Sequence, residues 1–308
     1  MFRFSAVILL VNLSNLAQAF QSPSDTTKNF KLTYSLYIGV SKQNFSYNIA
    51  GNEEGTNPNI LSELKWNRTL TKEIGGNLNA RYKRVIFKST LLYSKTIKGN
   101  ISDIDYAEDN RSSIFSQQYL SNHKGSGYIT KFLLGYSLIN RNSYVIDLLM
   151  SYEHVSNKLF LLNKKHLTEN DPNYQPDLNS YYKYQHPNLG GVVNSSYSIN
   201  KFINLSLELG VYRTFYYAYG NWNLRKDFKQ PVSYEHKGKG LKLSSSIATN
   251  IILTNCLGLS LGYSFVKQNL KNGKDVLFLA NGGALKTQLN QINDNKNTLF
   301  ITLNHSIF

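Results

Sequence analysis

Two aspartates one residue apart, Asp103 and Asp105, are the most chemically suggestive pair in this sequence. On a strand, residues two apart share a face, and paired carboxylates there raise one another's pKa or hold a cation. The alternative is a pair of loop acids that water solvates. His123 starts a following segment and is the candidate to complete a constellation with Asp105. Its imidazole titrates near neutral pH, which suits general-base work. His154, His166, His186, His236 and His305 show no paired spacing of the His-x-x-x-His kind, so no metal is expected. No glycine-rich phosphate loop occurs, and no cofactor is expected. Cys256 is the sole cysteine, so the fold is held without an internal disulfide.

The elements that must position these residues read as strands. Leu32, Tyr34, Leu36, Ile38 and Val40 alternate with Thr33, Ser35, Tyr37, Gly39 and Ser41. Leu205, Leu207, Leu209 and Val211, and again Leu257, Leu259, Leu261, Tyr263 and Phe265, keep the same period of two. Each segment therefore has one greasy face and one small or polar face. No apolar run after the first twenty residues is long enough for a membrane helix, and a mean hydropathy of −0.34 excludes a helical bundle. The 22 Tyr and 16 Phe exclude a disordered chain.

The first residues carry one basic side chain, Arg3, then the apolar run Ala6–Val11 and the small-x-small site Ala17-Gln18-Ala19. That is the layout of a secretory signal peptide, residues 1–19, followed by one domain over 20–308. Short polar links at 82–84, 140–142, 200–201 and 254–255 alternate with long polar stretches near 51–59, 98–123, 163–179, 223–233 and 271–297. Short turns on one rim and long loops on the other predict an all-β, antiparallel transmembrane β-barrel of about ten strands, in the outer membrane of a Gram-negative bacterium. The expected strands lie near 30–48, 60–81, 85–97, 126–139, 143–162, 180–198, 202–222, 234–253, 257–270 and 296–308.

Three stretches resemble the omptin family of ten-stranded outer-membrane endopeptidases. They are Ser35-Leu36 with Ser41-Lys42, the run Ile60-Leu61-Ser62-Glu63-Leu64-Lys65-Trp66, and Gly99-Asn100-Ile101-Ser102-Asp103-Ile104-Asp105-Tyr106. The resemblance implies that Asp103 and Asp105 form one half of a catalytic site. It also implies an opposing Asp-x-His just after the seventh strand, where Tyr217-Ala218-Tyr219-Gly220-Asn221-Trp222-Asn223-Leu224-Arg225 stands instead. The nearest candidates, Asp227 and His236, are too far apart in sequence to reproduce that geometry. Phe45-Ser46-Tyr47 occupies the region where the family holds a basic substrate residue with an acid.

Lys+Arg outnumber Asp+Glu by 34 to 19, a formal charge of +15. For an exported barrel the expected anionic partner is membrane lipopolysaccharide, as activator or boundary lipid, and not nucleic acid. By resemblance, Tyr152 and Lys158 are the candidate lipopolysaccharide contacts. The expectation is a non-proteolytic surface binding protein, adhesin or narrow pore, with host or extracellular proteins as further partners. The alternative is an aspartyl-type endopeptidase with a rearranged site. Glu208, Lys131 and Asp147 are charged inward candidates that would either plug the lumen by pairing or line water.

Overall fold

Alternating side chains along long strands generate a single antiparallel sheet that closes on itself, seen in a computed structural model that describes residues 30–307 apart from 142. The expected signal peptide and the terminal Phe308 lie outside the described residues. In chain order the strands are β1 (Phe30–Ile49), β2 (Ser62–Tyr82), β3 (Val85–Glu108), β4 (Ser112–Ser121), β5 (Ser126–Asn140), β6 (Tyr144–Leu161), β7 (Ser180–Ser198), β8 (Ile203–Asn221), β9 (Tyr234–Ile252), β10 (Leu257–Phe278) and β11 (Ala284–Ser306). The lower part of β3 pairs with β5 and its upper part with β4, so β4 and β5 share one place in a ring of ten. Pairing of β1 with β11, from Thr33↔Ser306 to Ile49↔Leu289, closes the ring. Closure satisfies the backbone within lipid and leaves no edge there.

The outward face carries a band of exposed apolar residues. On β1 it runs Tyr34, Leu36, Ile38, Val40, and on β11 Leu303, Ile301, Leu299. Met150 on β6 is 79% exposed, which is intelligible only against hydrocarbon. Above the band the outward positions turn polar, as with Lys42 and Asn44 on β1 and Asn297 and Asn295 on β11.

Two expected loops are corrected. Residues 98–123 are not a loop: β3 continues to Glu108 and turns at Asp109–Arg111 into β4. Likewise β10 continues to Phe278 and β11 begins at Ala284, so most of 271–297 is a hairpin. Above the membrane the outer face meets water instead of lipid, and the hydropathy alternation that announces a strand stops. Asp103 and Asp105 therefore sit on a strand.

Inside, the charged inward candidates pair. From the short-turn end upward, Arg81 bonds Asp147 at 2.8 Å and Lys131 bonds Glu208 at 2.7 Å. Next come Lys242 with Glu153, and then Lys296 with Glu73 at 2.5 Å. Tyr37, Glu73, Glu153, His186, Lys242 and Asp294 help to line a polar chamber of about 130 Å³ in the upper half. Over it packs an aromatic layer of Phe45, Tyr47, Trp66, Tyr182, Tyr184, Tyr216 and Tyr234, all buried. Stacked and tilted ring pairs tie this layer together, with Phe45 on Tyr184 at 4.8 Å and Trp66 on Tyr182 at 5.7 Å. Charge pairs below and rings above fill the lumen.

Candidate functional site at the extracellular mouth

Strand pairing fixes the acidic half of the mouth. Asp103 lies across from Leu64 on β2 and Gln118 on β4, and Asp105 across from Ser62 and Ser116. Leu64 is fully buried in the aromatic layer, so this register turns both carboxylates to the inner face. Above the lipid band, burial and then the neighbouring Asp105 push the Asp103 carboxyl up to about 7. Burial also raises Asp105, against a hydrogen bond from Ser62 and the charge of Arg225.

Because the folded-state pKa of Asp103 exceeds its ordinary 3.8, the native state holds the proton more tightly than the unfolded chain. Its contribution is thus most favourable below about pH 4 and is lost as pH rises toward 7. Asp103→Asn should flatten this slope and raise stability at pH 8 by roughly 2 kcal/mol, with no gain at pH 4. Urea unfolding in liposomes at the two pH values checks this; equal effects at both would exclude the ionisation.

On the opposite wall no Asp-x-His stands on β8 where the resemblance implies one. Three buried residues of β8 alternate along this wall, Tyr216, Ala218 and Gly220. Ala218 is register partner to His236 and Gly220 to Tyr234 on β9. A Cβ on Gly220 would come within 2.1 Å of the Tyr234 ring. Small residues on β8 thus make room for large ones on β9, among them His236.

His236 Nε2 lies 3.0 Å from Oδ1 of Asp275, its register partner on β10. Its Nδ1 meets the Tyr182 hydroxyl at 2.8 Å, and the Thr287 hydroxyl donates to the second Asp275 oxygen at 2.7 Å. Asp275 was not singled out from sequence, because it stands in a stretch that reads as a loop. Asp227 instead forms a two-toothed, exposed ion pair with Arg225, with bonds of 3.0 and 2.7 Å.

Acidic pair and His–Asp pair do not meet. Tyr47 and Tyr234, with hydroxyls 2.8 Å apart, pack on His236 at ring distances of 4.6 and 5.2 Å. Both also feel the charge of Asp103, and burial holds both phenols well above their usual range. His236 is 0% exposed and Asp275 3%, so the imidazole has no contact with bulk water. His123 does not join Asp105 either. It sits between β4 and β5, with Nδ1 2.9 Å from the Ser121 hydroxyl, and burial with Lys165 and Lys124 lowers its pKa. Among the described residues no group of three or more His, Cys, Asp or Glu is placed to hold a metal.

A second feature girdles the outside. At or near the upper edge of the apolar band stand Lys42 on β1, Lys72 on β2, Lys95 on β3, Arg213 on β8, Lys239 on β9 and Lys267 on β10, all exposed. Lys72 and Lys95 are direct cross-strand partners, as are Lys158 and Lys183 higher on β6 and β7. Lys158 lies over the Tyr181 ring at 3.7 Å, and Tyr152 is exposed at the upper edge of the band.

A closed barrel with a lipid-facing band and a filled lumen is an outer-membrane β-barrel of a Gram-negative bacterium. The chain belongs to the Protochlamydia outer membrane protein family (Pom), whose pattern it matches over residues 35–307. Its fold is similar to that of the outer membrane protease OmpT from Escherichia coli, with a TM-score of 0.70 at 13% identity over 93% of this chain and 99% of that one. Weaker likenesses are the translocator domain of the autotransporter NalP from Neisseria meningitidis (TM-score 0.37, 8% identity, 96% and 95% covered) and the Ralstonia pickettii toluene transporter TbuX (0.36, 8%, 89% and 89%). No curated protein matches the chain.

Proposed function

We propose that this protein is a closed, non-proteolytic surface-binding barrel of the adhesin type, held in the outer leaflet by lipopolysaccharide. The observation that carries the reading is the sealed interior. A peptide carbonyl has no way to an imidazole at 0% exposure, and an ion has no water column through paired charges and stacked rings. Lipopolysaccharide is supported by the basic collar. Like charges directly opposite on a ladder are destabilising, so Lys72 beside Lys95 and Lys158 beside Lys183 are best satisfied by bound phosphates. Tyr152 and Lys158 face outward, where such lipid would lie.

Refolded into lipopolysaccharide-containing bilayers, the protein should show no unitary conductance steps and no cleavage of dibasic peptides above background. Losing one member of a catalytic group that acts as a unit removes orders of magnitude of rate. Turnover that disappears in both Asp105→Ala and His236→Ala would therefore establish the rearranged endopeptidase instead. Stable conductance steps would establish a pore.

A further inference from the structure

Strand β4 is where the sheet runs out of partners. Its last rung on the far side is the bridge Ser121↔Leu162; above it β6 has ended and the chain has left into residues 163–179. From Ser116 to Leu120 the described residues include no backbone partner for β4 other than β3. Across from this edge, residues 164–175 leave a groove of about 550 Å³, lined among others by Gln117, Gln118, Tyr119, Lys164, His166 and Asp171. That volume lies within the range of sites that hold ligands. One hydrogen bond crosses the groove, from Gln175 Nε2 to Gln118 Oε1 at 3.3 Å.

We propose that this groove receives an extended segment of another protein, which adds as a strand to the free edge of β4. This rests on the surface-binding reading above and names its site and the chemistry of its partner. Unpaired backbone N–H and C=O groups at strand spacing are complementary to another strand. Natural edges usually repel such pairing with lysine or proline, yet Ser112–Ser121 contains no charged residue and no proline. The bulge between Asp105 and Tyr106 limits the usable edge to the stretch below it.

Other occupants fit less well. A lipid phosphate finds paired cations on the collar, whereas in the groove Lys164 stands with Asp171 and the β4 wall is neutral. A second copy in the same membrane, related by an axis along the membrane normal, would bring its own β4 alongside in parallel. It would also bring a second Lys164 and Lys165 to a chain whose net charge is already +15. Lys164 and Asp171 offset one another in the groove and β4 itself carries no charge, so the guest is an uncharged, β-prone segment whose alternate side chains meet Gln117 and Tyr119 on one face and Ser116 and Gln118 on the other.

The test uses the refolded full-length protein and a phage-displayed library of random octapeptides. Enriched peptides should be uncharged and β-prone, and a synthetic copy should slow amide exchange across Ser116–Leu120 at least tenfold. N-methylation of one alternate set of its residues should weaken binding at least tenfold, and of the other set should leave it unchanged. Gln117→Lys with Tyr119→Lys should weaken it similarly, whereas Gln117→Asn should not. No enrichment, protection elsewhere, or equal tolerance of both methylation patterns would overturn the proposal. Cleavage of a bound peptide would sink the non-proteolytic reading and leave the groove standing. A protein that neither binds nor cleaves would lose the groove and keep that reading.

Discussion

Lys242→Met should destabilise the barrel by about 3–5 kcal/mol, because it strands a buried carboxylate. Glu153 and Lys242 are 6% and 4% exposed and bonded to each other. Asn188 donates a further bond to Glu153 at 3.0 Å and itself accepts one from Thr214 at 2.7 Å. Methionine keeps the length of the lysine stem and its packing near Tyr212, so the loss isolates the charge. Adding Glu153→Gln should recover most of the stability, since the amide oxygen still accepts from Asn188 and no unpaired charge remains. Urea unfolding of the single and double variants in liposomes measures the difference. A double variant as unstable as the single one would show that packing, not charge pairing, dominates here.

The second large effect belongs to the aromatic layer. Trp66 is 0% exposed, packs against Phe45, Tyr47 and Tyr182, and donates its indole N–H to the Phe160 carbonyl at 3.3 Å. Trp66→Ala should cost about 3–5 kcal/mol, the usual range for emptying a large aromatic site in a packed core. Trp66→Phe should cost less than half of that, because a ring remains to meet Tyr182. If the alanine variant lost under 1 kcal/mol in the same unfolding assay, the layer would be a loose lid and not a packed plug.

Much of the lipid-spanning part was legible because burial there has one rule. Leu36, Ile38 and Val40, or Leu257 through Phe265, must alternate, since one face meets hydrocarbon and the other a narrow interior. The expected bounds of β1 and β7 accordingly lie within a residue of those observed. Above the membrane that rule lapses. Residues such as Ser102, Asp103, Gln117 and Gln118 can be polar on either face and still pair, so the upper half of β3 and all of β4 read as loop. Of the candidate site, only the acidic pair is a short local motif that a sequence can display. Its opposing half depends on which residues of β8, β9 and β10 share a rung. Ala218, His236 and Asp275 are far apart in the chain, and no single spacing announces that His236 finds its carboxylate across a strand pair.

The seam between β1 and β11 bears on how the chain reaches this state. Every other junction in the ring joins strands consecutive in the chain, or β3 and β5 with only β4 between them, whereas the seam bonds Thr33 to Ser306 across a separation of 273 residues. For a wholly unstructured chain, loop-closure entropy of (3/2)RT ln n puts the cost of that one meeting at about 5 kcal/mol, and zipping the intervening hairpins first shortens the free span. Hairpins can zip in order from either end, but the ring is an open ribbon with two sticky margins until Ala284–Ser306 is in place. Contact order thus concentrates in a single step, which makes closure the slow event and the nearly finished ribbon the species most exposed to wrong partners.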